Sequence, residues 1–259
     1  MVTMIKLGGS LITDKTQEAT LRPDVLARIA DEIARIHNSH DLRLIVGHGS
    51  GSFGHFEAKR HDTIKGVETS EQWAGFASVA RVASELNFHV ASALGAVDVP
   101  VMRFQPSASA IAVNGVVQDM AIQTIIRALD NGLVPLVYGD VAFDSERGGT
   151  IISTETIFAY LVSKLSVERI LLLGEVDGVY DEQNYIIPHI SPDNFSDVQS
   201  ALGGSEGVDV TGGMLTKVND MLSLATHPPY PEIHIINGLV SGNIERVLAG
   251  EMIGTRISQ

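Results

Sequence analysis

The chain has 259 residues, 44% of them apolar, which is enough for an α/β domain with a sizeable core. Its formal net charge of −13 argues against non-specific binding to nucleic acid or to an anionic membrane. The absence of cysteine excludes disulfides, thiolate metal sites and a cysteine nucleophile. Gly-Gly and Asp interrupt the N-terminal segment where a signal peptide needs an apolar stretch, and no 18-residue apolar run occurs. We therefore expect a cytoplasmic protein without a membrane span.

Short apolar runs alternate with segments of helical periodicity along the chain. Most of the runs are continuously apolar, which is typical of strands covered on both faces. The predicted strands are 4–7, 42–46, 99–104, 133–139, 169–174 and 232–237, and the predicted helices are 22–37, 70–95, 119–132 and 154–165. This alternation predicts an α/β fold, a mainly parallel central sheet with helices on both sides, in one domain spanning 1–259.

The segment 181–209 differs from the rest because it is rich in Asp, Glu, Pro and Gly. Two interpretations remain open for it. It is a solvated surface excursion, or it is a mobile flap near a ligand.

Two glycine-rich loops follow the first two predicted strands: GGS (8–10) and GHGSGSFG (47–54). In an open parallel sheet, ligands bind beyond the carboxyl ends of the strands, and glycine lets backbone N–H groups approach phosphate oxygens. Residues 49–54 fit G-x-G-x-x-G, but no strand follows closely enough to supply the acidic residue of a dinucleotide site, and no Walker sequence occurs. A phosphate-binding loop of another kind is the remaining functional interpretation, with plain turns as the alternative.

Two lysines lie beside glycine turns in distant parts of the chain. Lys6 precedes the first glycine loop, and Lys217 follows Thr211 and two glycines. Phosphoryl transfer needs cations aimed at the transferred group, because negative charge spreads over its oxygens in the transition state. Their placement favours this role over two solvated lysines. Asp177 follows the strand 169–174, where it either caps a turn or borders a nucleoside.

At this point the sequence resembles the amino acid kinase superfamily. The matching segments are KLGGS (6–10), the glycine loop 47–54, VDGVY (176–180), TGGMLTK (211–217) and IGTRI (253–257). Three longer segments are similar to those of the isopentenyl phosphate kinases, with the fosfomycin-inactivating kinases as near relatives: KLGGSLITDK (6–15), GSGSFGH (49–55) and YGDV (138–141). The resemblance implies a three-layer αβα sandwich, ATP with Mg²⁺, and a homodimer. It also implies that the N-terminal half binds the acceptor and the C-terminal half binds the nucleotide.

The same resemblance implies a role for each matching residue, with Lys6, His55 and Lys217 as the catalytic set and no protein metal ligand. Lys15 is expected to reach the nucleotide phosphates when its loop closes. The expected ATP-binding residues are Lys6, Gly8, Gly9, Ser10, Lys15, Gly51, Asp177, Tyr180, Gly213 and Lys217. The expected acceptor-binding residues are Ser50, Gly54, His55, Phe76, Val79 and Thr154.

The resemblance assigns the acceptor phosphate to His55. A phosphate monoester is mostly dianionic at neutral pH, so it needs no general base, and a hydrogen-bond donor helps to hold it in line. His48 is expected to make only a structural hydrogen bond. The apolar tail is expected to lie on Phe76 and Val79, opposite Val141 and Ile151, with core packing as the alternative for all four.

Two segments depart from the family pattern. STET (153–156) stands where relatives carry SGDD, so Thr154 replaces a glycine that faces the substrate, and Glu155 replaces an aspartate that organises the two lysines. GEVDG (174–178) stands where TDVDG is usual.

The function expected from the resemblance is ATP-dependent phosphorylation of isopentenyl phosphate to isopentenyl diphosphate, in isoprenoid precursor supply. The partner is then a small isoprenoid monophosphate, without nucleic acid or membrane. One alternative is a related kinase acting on a phosphonate such as fosfomycin or on another phosphate monoester. Another is a nucleotide-binding protein that has lost catalysis through the change at 153–156.

Overall fold

The computed structural model describes residues 1–39, 42–203 and 213–259. The strands are β1 (Val2–Leu7), β2 (Arg43–His48), β3 (Val101–Arg103), β4 (Ile111–Val113), β5 (Val116–Asp119), β6 (Val134–Tyr138), β7 (Asp140–Asp144), β8 (Gly148–Ile152), β9 (Val167–Gly174), β10 (His189–Ile190), β11 (Glu232–Asn237) and β12 (Thr255–Ile257). The helices are α1 (Gly9–Ile12), α2 (Pro23–Ser39), α3 (Gly51–His61), α4 (Ser70–Gly95), α5 (Ile122–Asp130), α6 (Thr154–Val162), α7 (Phe195–Gly203), α8 (Gly213–Ala225) and α9 (Asn243–Leu248).

An eight-stranded central sheet organises the fold, in the order β10-β12-β11-β9-β1-β2-β6-β3. Its strands pair in parallel except for β12, which runs antiparallel to β11. The predicted α/β class and mainly parallel sheet are therefore confirmed. Because β9, β1, β2 and β6 are parallel neighbours, the loops that follow them meet at one edge of the sheet.

Apolar side chains cover both faces of the sheet and form two separate cores. Along β1, Met4 belongs to the core that contains α6 and α8, whereas Ile5 and Leu7 belong to the core that contains α2. Side chains alternate along a strand, so Lys6 shares the face of Met4. The strand therefore directs the Lys6 side chain toward α6 and α8.

A second, four-stranded sheet in the order β5-β4-β7-β8 was not among the predicted elements. Its strands have only three to five residues, too short for a reliable periodicity. Asn114 and Gly115, both with positive φ, form the two-residue turn between β4 and β5, and Asn-Gly is a strong hairpin signal. The predicted helix 119–132 was wrong at its start, because Asp119 ends β5 and α5 begins at Ile122.

The segment 181–209 contains β10 and α7, and its described side chains are mostly exposed or half-buried, as the interpretation as a solvated surface excursion predicts. Ile190 and Val198 are buried in the core that contains α8. Residues 204–209, on which the flap interpretation depends, lie outside the described residues. Within the described residues, no helix combines the length and apolarity that crossing a membrane requires.

Candidate active site

The two glycine turns lie against each other at the carboxyl ends of β1 and β2. A Cβ added to Gly9 would lie 2.5 Å from the amide nitrogen of Gly51, so only glycine permits this approach. The amide of Gly8 donates to the carbonyl of Leu173 in β9, at 2.8 Å. The amide of Gly49 donates to the carbonyl of Leu7, at 3.0 Å. The backbone of β9, β1 and β2 thus brings the predicted phosphate-binding residues together.

The second glycine loop is shorter than predicted, because residues 51–54 already belong to the first turn of α3. Gly51 enters the helix with a φ of +50°, a conformation that favours glycine. The amide of Gly54 donates to the carbonyl of Ser50, at 3.0 Å. The first amides of a helix have no intrahelical acceptor, and the helix dipole favours an anion there. Ser50 and Gly51 therefore lie at an N-terminus suited to phosphate.

Lys6 of β1 and Glu155 of α6 form an ion pair, although they are 149 residues apart in sequence. Burial raises the pKa of Glu155, but the charge and hydrogen bond of Lys6 outweigh it, helped by a backbone amide and the charge of Lys217, so the net pKa is lowered. Glu155 consequently stays anionic at neutral pH, paired with Lys6 and stabilised by the charge of Lys217. This is the arrangement expected of the residue that organises them.

Another carboxylate, Asp220, lies one helical turn beyond Lys217 on α8. Partial burial and the charge of Glu155 raise the pKa of Asp220. The site thus combines the ammonium groups of Lys6 and Lys217 with two carboxylates, Glu155 with a lowered pKa and Asp220 with a raised pKa.

Thr154 opens α6, and its side chain is buried against the end of β2 rather than exposed. Its hydroxyl donates to the carbonyl of His48 at 2.6 Å, and its methyl group packs beside Gly47. Ser153 caps α6 by accepting a hydrogen bond from the amide of Thr156 at 3.0 Å. The structure therefore gives the Thr154 side chain a role in joining α6 to the second glycine turn.

His55 is exposed at the start of the second turn of α3, next to the glycine turns. Its Nδ1 lies 2.9 Å from the carbonyl oxygen of Gly51. A carbonyl only accepts, so Nδ1 carries a proton, and Nε2 at the other side of the ring is the atom that can meet a ligand. If Nε2 also donates, the ring is the doubly protonated cation.

Four residues expected near the acceptor tail form a small apolar cluster separate from the two main cores. Phe76, Val79 and Val141 are buried in it together with Val67, and Ile151 packs against it. Phe76 and Val79 therefore lie opposite Val141 and Ile151, in the packed cluster that the core-packing alternative describes. Two aromatic neighbours of Phe76 were not predicted from the sequence. The ring centroid of Trp73, on α4, lies 5.2 Å from that of Phe76, and the ring centroid of the half-exposed Phe143, on β7, lies 5.4 Å from it.

On the other side of the glycine turns, Asp177 lies exposed on the loop after β9. Its carboxylate accepts hydrogen bonds from the Asn237 amide at 2.8 Å and from the Tyr180 hydroxyl at 3.0 Å. The hydrogen bond to Asp177 raises the pKa of Tyr180. Asp177 therefore joins the loop after β9 to the end of β11 through side-chain hydrogen bonds.

Arg22 was missed in the sequence, where no motif marks it. At the start of α2, it pairs with Glu175 at 2.5 Å and donates to the carbonyl of Ser10 at 3.2 Å. It thus ties the first glycine turn to the residue that departs from the family pattern at 174–178. Of the remaining expected residues, Lys15 is exposed on the turn after α1, and Gly213 opens α8. Thr211 lies outside the described residues.

The sequence matches one known protein family over most of its length. The model of the amino acid kinase family matches residues 1–237. The chain belongs to the amino acid kinase family.

Among family members, the isopentenyl phosphate kinase of Methanothermobacter thermautotrophicus is 38% identical to the chain, with 98% of each protein covered. The isopentenyl phosphate kinase of Methanocaldococcus jannaschii is 33% identical over 99% of this chain and 98% of the relative. A solved isopentenyl phosphate kinase structure matches 99% of this chain and 100% of its own with a TM-score of 0.82 and 34% identity. A substrate complex of an isopentenyl phosphate kinase matches with a TM-score of 0.78 and 25% identity, over 99% of this chain and 100% of its own.

Proposed function

We propose that this family member transfers the γ-phosphoryl group of ATP to isopentenyl phosphate, giving isopentenyl diphosphate and ADP for isoprenoid precursor supply. The observation that carries the proposal is the ion pair between Lys6 and Glu155. The charge of Lys217 also acts on Glu155, and the pair lies beside two glycine turns that contact each other. The full-length similarity to several isopentenyl phosphate kinases supports the choice of acceptor.

The nucleotide is assigned to the C-terminal half of the sheet and the acceptor to the N-terminal half. The triphosphate would pass Gly8, Gly9, Ser10 and Gly51, and the backbone amides of Gly9, Ser10 and Gly51 would meet its oxygens. Lys15 would close over it from its exposed turn. Asp177 and Tyr180 would border the nucleoside, and Gly213 would place Lys217 at the start of α8.

In the transfer, an oxygen of the acceptor phosphate attacks the γ-phosphorus, and the bond from the γ-phosphorus to the bridging oxygen breaks to release ADP. The acceptor is mostly dianionic at neutral pH, so no base has to remove a proton. Lys6 and Lys217 would offset the charge that develops on the transferred group. Glu155 would hold Lys6 in place, since its lowered pKa keeps it anionic throughout.

The acceptor phosphate would lie at the start of α3, against Ser50, Gly54 and His55. His55 would donate from Nε2, because Nδ1 is already committed to the Gly51 carbonyl. This hydrogen bond would hold the acceptor phosphate in line with the γ-phosphate. The isopentenyl tail would rest on Phe76 and Val79, and Thr154 would shape the acceptor site through its bond to the His48 carbonyl.

Mg²⁺ is expected to arrive with ATP rather than to reside in the protein. Within the described ranges, no group of three or more His, Asp or Glu side chains is placed to hold a metal ion. Mg²⁺ is usually coordinated by phosphate oxygens, water and at most one or two carboxylates, and Glu155 and Asp220 are two carboxylates of this site whose charges act on each other. The metal would neutralise charge on the β- and γ-phosphates. From the resemblance, we further propose a homodimer that acts in the cytoplasm.

The test is ADP release from ATP with Mg²⁺ and isopentenyl phosphate, dimethylallyl phosphate, fosfomycin, glutamate or no acceptor. We expect turnover with isopentenyl phosphate. Turnover with fosfomycin alone would move the protein to phosphonate phosphorylation, and silence with bound ATP would indicate a non-catalytic protein.

A matched pair of variants tests the role of His55. His55→Gln keeps an amide donor near the position of Nε2, whereas His55→Ala removes the donor. We expect His55→Ala to lose about 100-fold in kcat/KM for the acceptor and His55→Gln to retain more activity. Equal losses in both variants would contradict a hydrogen bond from Nε2.

A further inference from the structure

A chain of buried polar groups leads from the surface to the second glycine turn. His48, fully buried at the end of β2, has its Nδ1 3.0 Å from the carbonyl oxygen of Gly49. Its Nε2 lies 3.1 Å from Nδ2 of Asn87, which is also fully buried on α4. Nε of the exposed Arg103 lies 2.7 Å from Oδ1 of Asn87. The His48 ring stacks on Tyr138, with centroids 5.5 Å apart and planes 3° from parallel.

The direction of every hydrogen bond in this chain is fixed from the Arg103 end. Arginine only donates, so the atom of Asn87 that faces it is the amide oxygen. The amide nitrogen of Asn87 therefore faces His48 and donates to Nε2. Since Nε2 accepts, the neutral ring carries its proton on Nδ1, which donates to the Gly49 carbonyl. Burial keeps the ring neutral by lowering the pKa of His48 to about 4.

The bond to Gly49 also fixes the next amide. In a trans peptide the C=O and N–H groups point in opposite directions, and the cis bond of the described chain is at Pro228-Pro229. A Gly49 carbonyl held by the His48 ring therefore directs the Ser50 amide away from the core. The His48 carbonyl is held as well, by the Thr154 hydroxyl at 2.6 Å and the Gly139 amide at 3.2 Å.

We propose that Arg103, Asn87 and His48 are positioning residues that set the Gly49–Ser50 peptide so that the Ser50 amide meets the acceptor phosphate. The inference rests on the proposed function for the identity of the anion. These residues do not touch the reacting atoms; they act through the proton on Nδ1. We name this chain of hydrogen bonds, from Arg103 through Asn87 and His48 to Gly49, the tautomer relay.

Two substitutions of His48 separate the donor from the ring. An asparagine side chain places its amide nitrogen near the position of Nδ1, whereas a glutamine places it near Nε2. Both variants lose the stacked ring, so their comparison isolates the donor to Gly49. We expect kcat/KM for isopentenyl phosphate to be about tenfold lower in His48→Gln than in His48→Asn, with the same KM for ATP. Equal kcat/KM values in two folded variants would overturn the proposal.

The tautomer of His48 can also be measured in the wild-type protein, with no activity assay and no substitution. Histidine ¹⁵N shifts of the wild-type protein distinguish Nδ1–H from Nε2–H, and we expect Nδ1–H for His48 at pH 7.5. A proton on Nε2 would overturn the relay whatever the enzyme does. Absence of turnover with isopentenyl phosphate would instead overturn the proposed function, while the ¹⁵N result still decides the relay.

Discussion

Protonation of His48 is expected to destabilise the protein in acid. Burial lowers the pKa of His48 from 6.5 to about 4, although its hydrogen bond to Gly49 acts in the opposite direction. Because the folded pKa lies below the unfolded value, the stabilising contribution is complete above about pH 6.5 and is lost as the pH falls toward 4. This pKa difference corresponds to about 3 kcal/mol of the free energy of unfolding when the loss is complete. Of this, about 2 kcal/mol is already lost at pH 5.

The assay is urea unfolding followed by circular dichroism at several pH values from 7.5 to 5, for the wild type and His48→Asn. We expect the wild type to be the more stable at pH 7.5 and its advantage to shrink by about 2 kcal/mol at pH 5, since the variant has no proton to gain there. His234 offers an internal control: burial lowers its pKa too, but β11 lies three strands from β2. When both proteins also carry His234→Gln, we therefore expect the stability difference between His48 and His48→Asn to decrease by the same amount. If the stability difference between wild type and His48→Asn stays constant to within about 0.5 kcal/mol from pH 7.5 to 5, the reasoning is refuted.

Three further predictions concern the site itself. Glu155→Gln removes the partner of Lys6, so we expect kcat to fall at least about tenfold in steady-state assays; an unchanged kcat would mean that Lys6 is positioned without it. Phe76→Leu loosens the apolar cluster, so the KM for isopentenyl phosphate should rise while that for methyl phosphate stays the same; parallel changes would place the tail elsewhere. Arg22→Gln releases the Ser10 carbonyl, so we expect a higher KM for ATP and an unchanged KM for the acceptor, and the reverse pattern would assign Ser10 to the acceptor site.

Local sequence determined the elements that build the sheet. The apolar run at 232–237 coincides with β11, and the helix 70–95 coincides with α4. The start of α4 is set by a capping box in which Thr69 and Gln72 bond each other's backbone amides, an interaction completed within four residues. Glycine after an apolar run likewise marks a turn without reference to the rest of the chain. Such features depend on neighbours in sequence, so a sequence suffices to find them.

Tertiary structure decided which distant groups meet. Glu155 reaches Lys6 because β1 lies inside the sheet with its Met4 face toward α6, and Arg22 reaches Glu175 because the loop after β9 adjoins the first glycine turn. The tautomer relay likewise needs α4 beside the end of β2, and Arg103 of β3 within reach of Asn87 on α4. Strand order and the face that each side chain takes result from packing the two cores, and no local pattern encodes them. The sequence alone thus determined the turns and the lysines, whereas packing set the ion pair, the proton on His48 and the aromatic neighbours of Phe76.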